Sequence, residues 1–255
     1  SAFLSAAEIA SRLNLSEATL VRFARTLGFT SYPAMRTVLQ DNFRRRVTHS
    51  SRIRGRLDDL REAGDIFERL TVTEIDYLSQ ALDSIDRIAM KKAVDCLRDK
   101  SKIFVFGLGP SISLVDLMEI RLRRYGKEVV PLTVSGREVI EPLLNMSSED
   151  LLFVICFFDQ NPTLNLVLEY GNELGCKIIM LTDTLDTVLN GKADITLTAR
   201  RGPVGAFHSL VVPMTVINAL LLSMAGEKQE HVMENLDKLD TLRERLRSLN
   251  NGITS

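Results

Sequence analysis

The sequence predicts a small all-α helix-turn-helix head followed by an α/β body with a parallel five-stranded sheet covered by helices on both faces, and three observations carry that prediction. Two capped helical segments meet at a tight turn inside residues 5–28. From residue 102 onward, short continuous apolar runs alternate with helical patterns, the signature of strand–helix units. Charge is also segregated: residues 1–56 hold 10 Arg and no Lys against 3 acidic residues, a net of +7, while the whole chain of 255 residues carries −1. A basic module on an acidic body suits a polyanion-binding head joined to a domain with another task.

In the head, Ser5 and Glu8 form a capping box, and Ala6, Ile9, Ala10 and Leu13 share one helical face. Asn14 and Leu15 make the turn, and Ser16 caps the second helix. Leu20, Phe23, Ala24 and Leu27 give that helix an apolar face, and Gly28 ends it in a left-handed conformation. Glu17, Ala18, Thr19, Arg22 and Arg25 then face solvent. A helix-turn-helix inserts such a surface into the major groove, whereas an ordinary helical hairpin satisfies the same spacing without touching DNA. As a helix-turn-helix, Glu17, Ala18, Thr19 and Arg22 would face bases, and Ser16, Arg25 and Tyr32 phosphates. A third helix is expected over 32–46, with Met35, Val38, Leu39 and Phe43 on its buried side.

The string AEIASRLNLSEATLVRFARTLGF resembles the DNA-binding segment of RpiR-type transcriptional regulators. The resemblance implies a double-stranded DNA operator as partner. Such heads carry further helices before this point, so the head, residues 1–46, is expected to be incomplete at its N-terminus. Residues 47–86 are expected to be a linker with helical segments. Arg44–Arg46, Arg52, Arg54 and Arg56 at its start are placed to reach flanking phosphates.

Two helical segments follow, one through Leu70, Ile75, Leu78 and Leu82, the other through Ile88, Ala89, Ala93, Val94 and Leu97. Strands are expected at 102–109, 128–134, 150–158, 177–182 and 194–199, with helices at 113–125, 138–145, 163–174, between the last two strands, at 209–225 and at 227–247. A sheet of this kind binds ligands beyond the carboxyl ends of its strands. The loops after Phe106, Val134, Phe158 and Leu181 are therefore the candidate site.

The first of these loops reads Gly107-Leu108-Gly109-Pro110-Ser111-Ile112-Ser113. Ile112 occupies the place of the third glycine of a dinucleotide fingerprint, so that site is excluded. GxGxS before a helix instead suits an anion: glycines let the backbone approach, and serine hydroxyls and helix amides donate to it. The alternative is that Ser111 and Ser113 only cap the helix. The motif resembles the opening of SIS domains, the sugar-isomerase fold that binds phosphosugars, and the likeness extends over about 87–226 through the DLLFVI strand, LTD at 181–183 and AD at 193–194. SIS domains also follow the head in RpiR-type regulators. The resemblance implies effector contacts from Gly107, Gly109, Ser111, Ser113 and Ser135.

One loop departs from that pattern. Where the family has a hydroxyl-rich S-x-S-G-x-T, this chain has Cys156, Phe157, Phe158, Asp159, Gln160 and Asn161. An ionised Asp159 repels phosphate unless a cation intervenes, a part open to Arg137 or Arg200. Thr163 is placed to replace part of the lost hydroxyl set, whereas Asp159, Gln160 and Asn161 would hydrogen-bond a neutral or amine-bearing ligand instead.

The expected function is a transcriptional regulator whose body, residues 87–226, binds a small metabolite, a phosphosugar or related compound, and dimerises. Residues 227–255 add a C-terminal helix and tail. The expected assembly is a homodimer or dimer of dimers through the 209–225 and C-terminal helices. A sugar-phosphate isomerase is the alternative; its base would be Glu138, Glu141 or His208, which no spacing ties to the serine loop. A DNA-binding scaffold with a vestigial pocket is another. Cys96, Cys156 and Cys176 lack CxxC spacing and read as reduced thiols of a cytoplasmic protein. His49, His208 and His231 form no metal-ligand pattern, so neither catalytic residues, metal nor cofactor is expected. The apolar stretch 210–225, interrupted by Pro213, Thr215, Asn218 and Ser223, is short for a membrane span of about 20 residues.

Overall fold

Helix α1 (Glu17–Thr26) shows how local chemistry sets the head. The Thr19 N–H donates to Ser16 Oγ at 3.2 Å, which satisfies one of the free amides at the helix start. At the other end Gly28 has φ +87°, the Phe29 N–H reaches the Ala24 carbonyl and the Gly28 N–H reaches that of Arg25, each at 3.0 Å. That bond pair is the left-handed stop expected of Gly28. Ser31 starts the next helical stretch, residues 32–36, by accepting from the Ala34 N–H at 3.2 Å.

The chain is seen in a computed structural model that describes residues 9–10, 15–36, 39, 65–157, 161–183, 191–202, 208–227 and 229–253. It divides into two units, one of residues 1–72 and 202–208, which contains the head, and a body of residues 73–201 and 209–255. The Ser5–Glu8 capping box, the Asn14 turn, Val38, Phe43, the arginines of 44–56 and the short helix between the last two strands lie outside the described residues.

The described core of the head comprises Ala10, Leu20, Ala24, Tyr32 and Met35, with Ile9, Val21 and Phe29 packed around it. Two expectations for its apolar face fail. Phe23 and Leu27 are 54% and 53% exposed. Phe23 lies about 80° from the centre that Leu20 and Ala24 define, and Leu27 is already the C-cap residue beyond Thr26. Leu39, expected on the buried side of the third helix, is 46% exposed.

Ahead of the sheet come α2 (Ile66–Ser84), which runs into the body, and α3 (Arg87–Asp99), separated where Asp86 Oδ1 accepts from the Ile88 and Ala89 N–H groups at 2.8 and 3.0 Å. Then follow β1 (Lys102–Gly107), α4 (Ile112–Arg124), β2 (Glu128–Leu132), the single turn α5 (Ile140–Leu143), β3 (Leu151–Ile155), α6 (Pro162–Leu174), β4 (Lys177–Thr182), β5 (Ile195–Thr198), α7 (Val211–Glu227) and α8 (Gln229–Ile253). All strand pairs are parallel, in the order β2-β1-β3-β4-β5.

Strand period two divides the core between two faces. Ile103, Val105, Leu151, Phe153, Ile155, Ile179 and Leu181 pack with α3, α4 and α7. Phe104, Phe106, Leu152, Val154, Ile178 and Met180 pack with α6 and the turns around Val139 and Leu143. Burying each such side chain fully contributes about 1.5–3 kcal/mol. Covering both faces demands continuous apolar strands, the feature by which they were legible. Helix α7 buries Val212, Val216, Ile217, Leu220, Leu221 and Met224 but leaves Leu222 65% exposed. Among the described residues no helix is long and apolar enough to cross a membrane.

Polar bonds pin the amino ends of the strands. Lys127 Nζ donates to the carbonyls of Arg98 and Lys100, both at 2.6 Å, and so closes the end of α3. The Cys176 thiol donates to the Ser147 carbonyl at 2.9 Å, and burial raises the pKa of both Cys176 and Cys96, which disfavours the reactive thiolate. Lys177 Nζ lies 2.7 Å from Asp194 Oδ1, while Asp194 Oδ2 accepts from the Ile178 N–H at 2.8 Å. Burial pulls the Asp194 pKa up, but Lys177 and the backbone N–H groups outweigh it and hold the pKa below its ordinary value. The hydrogen bond to Asp194 raises that of Lys177.

A depressed carboxylate pKa contributes stability that is complete above the unfolded value of about 3.9 and is lost as pH falls through the lower folded value. Urea unfolding between pH 6 and pH 2 should therefore show an acid limb that Asp194→Asn flattens. An unchanged limb in the variant would show that this pair does not contribute.

Candidate functional site

On α1 the side facing away from Leu20 and Ala24 carries Ala18, Arg22 and Arg25, all exposed, and Glu17 is exposed at its first turn. Residues 18, 22 and 25 follow one another at four and three, so they form a single outward row. Thr19 is half-buried, and its hydroxyl lies 2.8 Å from that of Ser16. Those two hydroxyls thus hold the helix start as well as facing its surroundings. Tyr32 is 4% exposed, and its ring packs in the head core.

In the body, β1 has β2 on one side and β3 on the other. The connections leaving its carboxyl end and that of β3 therefore part, which makes the strand ends at Gly107 and Ile155 the switch point of the sheet, the place where such sheets bind ligands. Gly107 has a tighter duty than letting an anion approach. A β-carbon there would lie 2.7 Å from Val115 Cγ2 and 3.2 Å from Ser111 Cβ, so glycine is what lets α4 pack against β1. Gly109 supplies the turn at φ +58°. Ser111 is 2% exposed and makes no side-chain capping bond, and the exposed Ser113 donates to the Pro110 carbonyl at 2.8 Å. Neither hydroxyl is used to cap α4.

The next loop comes to the start of α6. Ser135 is exposed and uncommitted as a cap, and the Gly136 N–H donates to Thr163 Oγ1 at 3.2 Å. Asn161 is the N-cap of α6, its Oδ1 accepting from the Thr163 N–H at 2.8 Å. Asn161 and the buried Thr163 are thus brought beside the 135–136 loop, but each spends an oxygen on the fold. Asp159 and Gln160 lie outside the described residues. Glu138 and Glu141 are exposed and make no bond to the serine loop among the described residues, while His208 is half-buried. Among the described residues no group of three or more His, Cys, Asp and Glu is arranged to hold a metal.

A residue not singled out from sequence dominates this end of the sheet. Arg201 is 8% exposed and joins the ends of three strands. Its Nε and Nη2 donate to Asp183 Oδ2 at 3.0 and 2.7 Å, and Nη2 also donates to the Phe157 carbonyl at 2.7 Å. The guanidinium sits 4.3 Å from the Phe157 ring centre, a cation–π contact. Arg137 and Arg200, the cations expected to answer Asp159, are both exposed. The only sequence signal for the pair was the LTD triplet ending at Asp183 and an arginine directly after the last strand. A separation of 18 residues says nothing about contact.

An apolar groove of about 360 Å³ lies elsewhere, between α2, α3 and α7, lined by Leu78, Leu82, Ile85, Met90, Val212 and Val216. Its lining is mainly apolar, with Ser79, Thr215 and Arg87 as its polar members.

Comparison with known proteins places these units. Residues 96–223 match the SIS domain family, and residues 1–46 match the helix-turn-helix domain of the rpiR family. The HTH-type transcriptional regulator HexR of Escherichia coli is 26% identical over 197 residues, 76% of this chain and 65% of that protein. CPE0189 of Clostridium perfringens, also named as an HTH-type transcriptional regulator, is 24% identical over 190 residues, 74% of this chain and 67% of its own. The chain thus spans about two thirds of the length of these curated relatives. Among solved structures, the sugar isomerase domain of an RpiR transcription factor from Sphaerobacter thermophilus superposes with TM-score 0.64 at 24% identity, covering 69% of this chain and 98% of that one. NanR of Vibrio vulnificus, complexed with ManNAc-6P, gives TM-score 0.64 at 22% identity over 96% of this chain and 87% of that one. Both share the fold.

Two stability outcomes follow from the geometry. Gly107→Ala should destabilise the body by about 1–3 kcal/mol through overpacking against Val115. Arg201→Met should cost about 3–5 kcal/mol by leaving Asp183 unpaired, and adding Asp183→Leu should recover much of that loss. Urea unfolding measures each, and a double variant no more stable than Arg201→Met would contradict the pairing argument.

Proposed function

We propose a function from one premise: the chain belongs to the RpiR-type regulators, with a helix-turn-helix domain of the rpiR family at residues 1–46 and a SIS domain at residues 96–223. On that premise it is a DNA-binding transcriptional regulator whose SIS domain binds a small sugar derivative and adjusts operator binding. The observation that carries the reading is the outward row of Ala18, Arg22 and Arg25 on the helix within the rpiR match. Glu17, Ala18, Thr19 and Arg22 meet bases, Arg22 being suited to guanine, and Ser16 and Arg25 meet phosphates. Relatives named as transcriptional regulators support a binding protein over an enzyme. Its place is the cytoplasm, with its DNA.

The boundaries in this reading are a head at 1–46, a linker with helical segments at 47–86, the effector and dimerisation body at 87–226, and a C-terminal helix and tail at 227–255. Two copies assemble, because paired recognition helices must meet half-sites about one helical turn apart. The exposed Leu222 on α7 and the leucines of α8 supply apolar contact surface.

The effector site is the crevice at the carboxyl ends of β1 and β3. Gly107 and Gly109 shape its first loop, and Ser111, Ser113 and Ser135 are its donors. Asp159, Gln160, Asn161 and Thr163 form its second side. The NanR relative was solved with ManNAc-6P, which makes a sugar derivative the natural class. Phosphate itself is disfavoured here. Arg201 is committed to Asp183, so that pair adds no net positive charge against Asp159. An unphosphorylated or amine-bearing sugar fits these donors and acceptors better.

With an operator obtained by selection from random DNA, Arg22→Ala should weaken binding by about 1–3 kcal/mol and relax preference at one base position. Unchanged affinity and preference in fluorescence anisotropy would remove Arg22 from the interface. Calorimetry should show ManNAc-6P binding more weakly than its unphosphorylated counterpart, and Asp159→Gly should reverse the order. Tight binding of the phosphosugar to the unaltered chain, with no effect of Asp159→Gly, would restore a phosphate site.

A further inference from the structure

Arg201 keeps unused donors at the end of the sheet. A guanidinium carries its N–H donors in one rigid plane, one on Nε and two on each terminal nitrogen. Nε–H and one N–H of Nη2 meet Asp183 Oδ2, and the other N–H of Nη2 meets the Phe157 carbonyl. Among the described residues Nη1 makes no hydrogen bond. The side-chain atoms there that are both buried and unpartnered are Glu74 Oε2 and Asn218 Oδ1, so Nη1 is open to solvent although Arg201 as a whole is buried.

The planar fork also fixes direction. Nε and Nη2 share the edge turned to Asp183, while Nη2 and Nη1 share the edge turned to the Phe157 carbonyl. One N–H of Nη1 therefore runs alongside the bond to Phe157, just beyond the end of β3 at Ile155 and so on the switch-point side of the sheet. The residue is held from behind as well. Its own carbonyl accepts from the Ser209 N–H at 3.3 Å, and the Phe157 ring lies 4.3 Å from the guanidinium. A donor fixed in this way loses little freedom on binding, unlike the exposed Arg137 and Arg200. Charge then sets what it takes. Asp183 lies 2.7 Å away and balances the guanidinium, so the pair attracts an anion weakly while Nη1 still offers N–H groups to an uncharged oxygen.

We infer that Arg201 is an effector-binding residue that donates from Nη1 to an uncharged oxygen of the sugar, a hydroxyl or an amide carbonyl, and that Asp183 keeps this contact from favouring phosphate. The inference rests on the sugar-binding reading above and adds to it a residue and a cause of selectivity. Donors left unmatched in a buried group are unfavourable, so an acceptor that meets them gains affinity.

Calorimetry on the full chain tests it, with ManNAc-6P and its unphosphorylated counterpart as probes. The unaltered chain should bind the unphosphorylated sugar. Arg201→Lys keeps the charge beside Asp183 but not the fork, and Arg201→Met with Asp183→Leu removes the pair without leaving a lone buried charge. Both should bind that sugar about 10–100-fold more weakly, the worth of hydrogen bonds to a charged donor, while urea unfolding shows them folded. Asp183→Asn leaves the guanidinium unbalanced and should shift preference toward ManNAc-6P by about tenfold. A folded Arg201 variant with undiminished sugar affinity would overturn the inference and leave the sugar-binding reading standing. An Asp183→Asn chain with unshifted preference, or an unaltered chain that takes ManNAc-6P alone, would overturn it as well. Binding of neither probe by the unaltered chain would overturn both, so the two failures are told apart.

Discussion

The position of β1 in the sheet sets most of what this molecule can do. With β2 on one side and β3 on the other, the loops leaving the carboxyl ends of β1 and β3 must part, and no crossover helix closes the gap between them. Everything that keeps this gap open depends on close packing nearby. Gly107 admits α4 to within contact of β1 because no β-carbon stands against Val115. Thr163 holds the Gly136 backbone, which fixes the second loop beside the start of α6. The backbone at these strand ends is thus held by close packing, and a ligand bound there would be chosen by the few side chains around it.

Electrostatics then narrows that choice. Buried ion pairs are costly to split, so Arg201 and Asp183 behave as one neutral unit tied to the Phe157 carbonyl and ring. A site with a free buried guanidinium would favour an anion. This one places its arginine in a closed pair and adds Asp159 to the neighbouring loop. The head has the opposite character, with arginines and no lysines among residues 1–56. An arginine fork suits both guanine edges and phosphates. An effector acts on such a regulator only through unequal affinity for its DNA-competent and DNA-incompetent states.

The strands were legible because burial on both faces demands unbroken apolar runs: 177–182 is KIIMLT in sequence and β4 in structure. Helix α6 was legible for a different reason, its Asn-Pro-Thr start and Gly175 stop being local signals. The failures concern long-range packing. Phe23 and Leu27 fit an apolar face by spacing, yet spacing does not say how wide a stripe the small head core can cover. The burial of the Tyr32 ring in the head core with Ala24 and Met35 was likewise not readable from spacing. The Arg201–Asp183 pair was invisible because only the sheet brings those strand ends together. Asn161 and Thr163 show the same ambiguity at short range: hydroxyl and amide groups that suit a ligand also suit a helix cap.

In the regulator proposed above, sugar binding by the body and DNA binding by the head are coupled. Coupling between two sites is reciprocal in free energy. The direct measurement is operator affinity by anisotropy with and without a saturating sugar ligand, set beside the affinity of that ligand with and without operator by calorimetry. The account predicts that both affinities change and by the same factor. Two affinities that are each indifferent to the other ligand would contradict it.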